Sequence, residues 1–406
     1  MKGPLDGYRV IDMSSVVSGP LATMILADQG ADVIKVETIG AGDTMRTAVN
    51  YRAGMSALFA NCNRGKRSIA LDLKDPRGRA IVLALIRNAD VFVENWRPGA
   101  ADRLGLGETD LRSEQPDLIY TSITGYGTEG PYRDRRVYDP VIQAYVGMIA
   151  AQRNPETASM DLVRNIVADK ATSYTVVQAI TAALLARERG HGGQHIDVSM
   201  LNSTLAFFWP DGMMEHTMTG ANVEQPFTVS DMNRLWSTSD GHVIAFFQSR
   251  AEMKALAGAL EHPEWIEDET FMDNAKRFHP DNLTRVYQTI QAVMNDLTTA
   301  EIVRRFTAED VPVAPVLEQA EVFSNPQILA MESVIDRHSN QYGSYRQARA
   351  GASFSKSVHH EHRHPPLLGE HGDEILSELG YSAERISRLH TDQVVGPTNP
   401  PDGSKP

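Results

Sequence analysis

Along the first third of the chain, short apolar runs alternate with longer stretches that carry apolar residues at helical spacing. Tyr8–Met13, Asp32–Glu37, Ser68–Leu73, Asp90–Trp96 and Asp117–Gly125 read as strands. Pro20–Gly30, with proline in its first turn and glycine closing it, and Pro76–Asn88 read as helices. This order predicts an α/β fold: a parallel sheet with helices on both faces. Ligands of such sheets sit beyond the carboxyl ends of the strands. The loops to watch are therefore Ser14–Gly19, Glu94–Gly99 and Thr124–Tyr138.

A long helical pattern follows over Asp169–Arg187, stopped by glycines before a strand at His195–Leu201 and a helix over Asn202–Thr219. Near residue 227 the texture changes. Leu235–Ser237 and His242–Phe247, joined by Ser239-Asp240-Gly241, predict a β-hairpin, with helices after it to Phe306. The expected division is a large α/β domain over 1–226 and a smaller α+β domain over 227–310. Residues 311–396, beginning with a strand or linker at Val311–Leu317, return to the large domain, and 397–406 form a Pro/Gly-rich tail without fixed structure.

Composition narrows the function. The 406 residues hold 39 Lys+Arg against 52 Asp+Glu, a net charge of −13, which argues against a nucleic-acid or membrane-surface binder. Cys62 is the single cysteine, so no intramolecular disulfide can form and a cytoplasmic setting is expected. Neither a leader sequence nor an apolar run of the roughly 18 residues that span a bilayer is read in the chain.

Candidate chemistry is sparse. The first loop reads SSVVSGP and lacks the G-x-G-x-x-G that brings a backbone against a pyrophosphate, so no nucleotide redox cofactor is expected. Glu37, where a ribose-binding acid would stand, reads as a surface residue at a strand end. His359, His360, His362 and His364 have no second cluster at metal-ligand spacing, and no metal is expected. Cys62, without a base beside it, reads as a small buried residue. Asp169 stands at the start of the long helix, where the plain reading is an N-cap. The helix dipole would hold such a carboxylate ionised, and an ionised carboxylate can act as a nucleophile.

The blocks PLDGYRVIDM, GADVIKVE, NRGKRSIALDLKDPRG, DVFVENWRPGAADRLGL, YGTEGPYRDRRVYD, VADKAT running into GGQHIDVSM, and PPLLGEHGDEIL recur in an order that resembles the family III coenzyme A transferases. This is the CaiB/BaiF family of formyl-CoA and carnitine CoA-transferases, with the α-methylacyl-CoA racemases as relatives. The resemblance covers nearly the whole chain and is weakest from about 215 to 310. It implies an open, Rossmann-like parallel domain built from both chain ends, a small middle domain, and an interlocked homodimer. It also implies transfer of CoA from an acyl-CoA to a small carboxylic acid through a covalent aspartyl intermediate, with CoA as substrate.

By the same resemblance, Asp169 is the nucleophile, and Tyr138, Ser15, Val16 and Val17 lie beside the substrate. Leu71, Lys74, Asn95, Trp96, Ala100, Arg103 and Arg136 would contact CoA. Where formyl-CoA transferases carry His and Gln in the first loop, this chain has Ser15 and Val17, and it has no glycine run between 228 and 250. Formyl-CoA and oxalate are accordingly weak candidates. The alternative is a 2-methylacyl-CoA racemase using Asp169 as acid/base. Its second face would need a histidine where Tyr138 stands, and a phenol is a poor base at neutral pH.

Overall fold

The computed structural model describes residues 3–154, 157–223, 233–357 and 363–397. The chain divides into two compact units, Met1–Phe207 with Val334–Pro406, and Phe208–Ser333. The smaller unit thus starts before residue 227 and ends after residue 310.

In the large unit the strands are β1 (Arg9–Asp12), β2 (Asp32–Thr38), β3 (Arg67–Leu71), β4 (Val91–Glu94), β5 (Ile119–Thr124) and β6 (His195–Ser199). They form a six-stranded sheet in the order β3-β2-β1-β4-β5-β6, every neighbouring pair parallel. The strands were legible because both sheet faces are covered, which leaves near-continuous apolar runs. One face packs Ile11, Ile34, Ile69, Phe92 and Tyr120 under the helices Pro76–Ile86, Gly372–Glu378 and Ala383–Thr391. The other packs Val10, Val33, Val91, Ile119 and Val198 against α1 (Ser18–Asp28) and α2 (Val167–Ala186). Leu71 also bridges Val395, so the segment around residue 395 lies on the edge strand of the sheet.

A buried charge network lies beneath the carboxyl ends of β1 and β2. Asp12, Lys35 and Lys66 are fully buried, with the Lys66 Nζ 2.8 Å from Asp12 Oδ2 and Lys35 Nζ 3.2 Å from Asp43 Oδ2. Glu37, expected at the surface, is instead buried in a bidentate pair with Arg46 (2.6 and 2.8 Å) and accepts the Ser68 hydroxyl at 2.8 Å. Strand position alone cannot show this, because the partner arginine comes from the following loop.

In the small unit, Leu235–Ser237 and His242–Ala245 form the expected antiparallel pair. Val313–Pro315, read from sequence as part of the return to the large domain, is the third strand of this sheet and pairs with His242–Ala245. Behind the sheet, Trp236, Met253, Leu256, Ile290, Ile302 and Phe306 fill a separate core. No helix among the described residues is long and apolar enough to cross a membrane. His359, His360 and His362, and the tail from 398, lie outside the described residues, while the His364 imidazole meets the Tyr345 hydroxyl at 2.5 Å. Among the described residues no cluster of three or more potential metal ligands occurs.

Candidate active site

Asp169 is the third residue of α2 rather than its N-cap, a position held by Ile166 without a capping side chain. The missing cap comes from elsewhere in the chain. Oδ2 of Asp139 accepts the main-chain N–H of Asp169 at 3.0 Å. Its Oδ1 accepts the Gln143 amide at 2.6 Å, and that amide also reaches the Val163 and Asn165 carbonyls at 3.2 and 3.3 Å. Asp139 is fully enclosed, and as the first residue of α3, Asp139–Tyr145, it ties the start of that helix to the start of α2.

The first loop closes the site from the other side. Ser18 opens α1, and its hydroxyl and main-chain N–H donate toward the Asp169 carboxylate. The N-terminus of α1 therefore faces an acid that itself sits in the first turn of α2. Burial nevertheless pushes the Asp169 carboxyl up, neighbouring Asp139 adds to the rise, and the Ser18 donors only partly offset it, leaving it at about 6. Burial and Asp139 thus work against the ionised form that the helix dipole favours. At pH 7 the group remains mostly charged.

The loop itself is rigidly specified. Lys35 Nζ donates to the Ser14 carbonyl and Lys66 Nζ to the Pro20 carbonyl, both at 2.8 Å, so a buried ammonium holds each end. Asp12 accepts the Ser14 N–H at 3.0 Å, and Asp43 accepts the Val16 N–H at 3.2 Å. Asn95 takes Ser15 from both sides, accepting its N–H at 2.8 Å and donating to its carbonyl at 2.7 Å. Val16 is held at φ +70°, a conformation that a β-branched residue adopts only under constraint. Gly19 has no substitute, because a Cβ there would lie 2.2 Å from the Ser14 Oγ. The loop after β5 is closed the same way, a Cβ on Gly125 meeting Val137 Cγ1 at 2.2 Å.

The three loops at the strand ends thus converge: the first holds Ser18, the second clamps Ser15 through Asn95, and the third delivers Tyr138 and Asp139. Of the remaining candidates, Val17 is buried and Ser15 and Val16 half-buried, while Tyr138 is 71% exposed at the start of α3. Trp96 is half-buried against the large core, Ala100 half-buried, and Lys74, Arg103 and Arg136 are exposed. Leu71 is fully buried in that core, so its side chain offers no surface to a ligand. Cys62 is buried, and desolvation pushes its thiol up to about 11, which makes it inert.

Sequence reasoning missed Ser18, Asp139 and Gln143. Ser18 lies within the loop read over Ser14–Gly19, and Asp139 directly follows the loop Thr124–Tyr138, where no helix is read. Their chemistry appears only when residues 18, 139 and 169 meet. One consequence is testable. Asp139→Asn removes the charge that helps raise Asp169 while keeping an acceptor for its N–H. The Asp169 carboxyl, followed by its carbon-13 chemical shift, should then titrate at lower pH. A midpoint at the wild-type pH would show that Asp139 does not act on the Asp169 carboxyl.

Compared with known proteins, the chain matches the model of CoA-transferase family III over residues 5–372. It is 32% identical to the human succinyl-CoA:glutarate CoA-transferase, over 97% of this chain and 90% of that protein. It is 35% identical to the acetyl-CoA:oxalate CoA-transferase of Acetobacter aceti, over 82% and 86%. Among solved structures it resembles a CaiB/BaiF family protein from Brucella suis, with a TM-score of 0.80, 31% identity and coverage of 93% of this chain and all of that one.

Proposed function

The chain belongs to CoA-transferase family III and is a CoA-transferase, moving CoA between an acyl-CoA and a carboxylic acid; on that premise we propose that Asp169 carries the reaction covalently. The observation that supports this most is a carboxylate only 9% exposed, in the first turn of its own helix, faced by the N-terminal Ser18 of another and mostly ionised at neutral pH. A desolvated carboxylate is a stronger nucleophile than a hydrated one, and the N–H groups around it can stabilise charge that moves off it.

In this reading a carboxylate oxygen of Asp169 attacks the acyl carbon, the C–S bond breaks, and CoA leaves as thiolate. The thiolate then attacks the aspartyl carbon of the mixed anhydride and releases the donor's acid, leaving an aspartyl-CoA thioester. The acceptor carboxylate attacks that thioester, and thiolate return to the new anhydride yields the product and free Asp169. Every bond broken is matched by one formed, so neither ATP nor a redox partner is consumed. Water must be excluded throughout, since either intermediate would hydrolyse.

Asn95, Trp96, Ala100, Arg103, Arg136 and Lys74 are proposed to line CoA, the cations pairing with its phosphates. Only the main chain of Leu71 is left to take part. Tyr138, Ser15, Val16 and Val17 are proposed to border the acyl group. The working assembly is proposed to be a cytoplasmic homodimer of interlocked subunits. Succinyl-CoA as donor and glutarate as acceptor stand first, because relatives named for that pair are 32–34% identical over nearly the full chain.

The test is to incubate the protein with succinyl-CoA and a panel of acyl-CoAs, quench with hydroxylamine or borohydride, and read the intact mass beside Asp169→Ala. The expected result is a donor-dependent modification confined to the wild type and mapped to residue 169. Exchange of the α-proton into deuterated water without CoA transfer would instead support the racemase reading.

A further inference from the structure

We propose that Glu94 is a positioning residue for this reaction, its carboxyl group setting the turn that holds both the first loop and the proposed CoA segment. The inference rests on the assignment of Asn95, Trp96, Ala100 and Arg103 to CoA. Glu94 ends β4 and is 7% exposed. Its Oε2 accepts the Trp96 N–H at 2.6 Å, closing a tight turn over Asn95. Asn95 in turn grips Ser15 at both its N–H and its carbonyl, three residues before the Ser18 that faces Asp169. A displacement of this turn therefore reaches the loop beside the nucleophile and the segment leading to Ala100 and Arg103.

The surroundings of Glu94 are acidic. Asp102 faces it from the short helix Ala100–Arg103, and Asp197 from β6. From β5 come the Tyr120 phenol and Ser122, the register partner of Glu94, whose hydroxyl meets the His195 imidazole at 2.7 Å. No cation pairs with Glu94 among the described residues. Burial first, and then the charges of Asp102 and Asp197, push its carboxyl up to about 7, the Trp96 N–H opposing them. Glu94 therefore changes charge within the working range. Ionised, it repels Asp102, which lies between Ala100 and Arg103, and it adds a negative charge beside a segment that must receive a polyanion.

The decisive readout is the division between KM and kcat. In the wild type, KM for the acyl-CoA should rise about five-fold between pH 6 and pH 8, the size of one partly screened charge interaction. Glu94→Leu removes the acceptor for the Trp96 N–H and should raise KM at both pH values, whereas Glu94→Gln restores an acceptor but cannot ionise, so its KM should stay low and flat over that range. The kcat profile, governed by Asp169, should follow the wild type. Asp197→Asn, an exposed substitution, should move the KM inflection to lower pH. A Glu94→Leu enzyme with the wild-type KM at both pH values, a Glu94→Gln enzyme that retains the rise, or an inflection unmoved by Asp197→Asn, overturns the proposal. Calorimetry with CoA at pH 6 and 8 separates the two levels of inference. Equal affinity at both values in the wild type overturns the role of Glu94 alone, whereas no binding at either value overturns the CoA assignment as well.

Discussion

Asp169→Asn is expected to abolish CoA transfer, by on the order of a thousand-fold or more, while making the protein more stable at neutral pH. Both effects come from one cause. Burial and Asp139 hold the Asp169 carboxyl at about 6, above the ordinary 3.8. Between those values the folded chain keeps a proton that the unfolded chain has released. Folding therefore loses stability as pH rises from about 4 to about 6, and above that the loss is constant. A two-unit shift corresponds to about 3 kcal/mol. Asparagine removes this penalty and the repulsion from Asp139, and still accepts from Ser18. Chemical denaturation from pH 4 to 8, run beside a transfer assay, checks the prediction. The stability gain should open across that window and reach roughly 2–3 kcal/mol above it. A variant destabilised at pH 8 would mean that the carboxylate is held by favourable contacts and is not strained for reaction.

The second large effect is on folding. Asp12→Ala should cost at least about 3–5 kcal/mol, because it leaves the fully buried Lys66 ammonium without its counter-charge. It also deprives the Ser14 N–H of its acceptor and the Thr23 hydroxyl of its shortest one (2.8 Å), releasing the start of the first loop. Burial alone would raise the Asp12 carboxyl, but Lys66 and Lys35 outweigh it and hold it well below the usual range. Its contribution is therefore present above about pH 4 and lost as the solution is acidified. Urea titration of wild type and variant measures the cost. Adding Lys66→Met to the variant should recover part of it, since the uncompensated ammonium is then gone. A wild-type midpoint for Asp12→Ala would remove the network from any role in stability.

These predictions mark where reading the chain by itself succeeded. The strands of the large sheet were legible because a parallel sheet buried on both faces must be written as short apolar runs, and each run found its strand within a residue or two. The long helix, the hairpin at 235–245, and the family with its activity were likewise determined by sequence, the last because so many blocks recur in one order. Asp169 was singled out for its place at a helix start.

Only the tertiary structure decided what kind of acid Asp169 is. Its ionisation depends on burial and on Asp139, thirty positions away, and no local pattern encodes that distance. The same holds for Glu37, read as a surface residue and found buried on Arg46, and for Val313–Pro315, whose pairing partner lies about seventy residues earlier. Local periodicity reports which face of an element is apolar. It says nothing about which charged or polar groups that burial will bring together, and the chemistry of this site is made of such meetings.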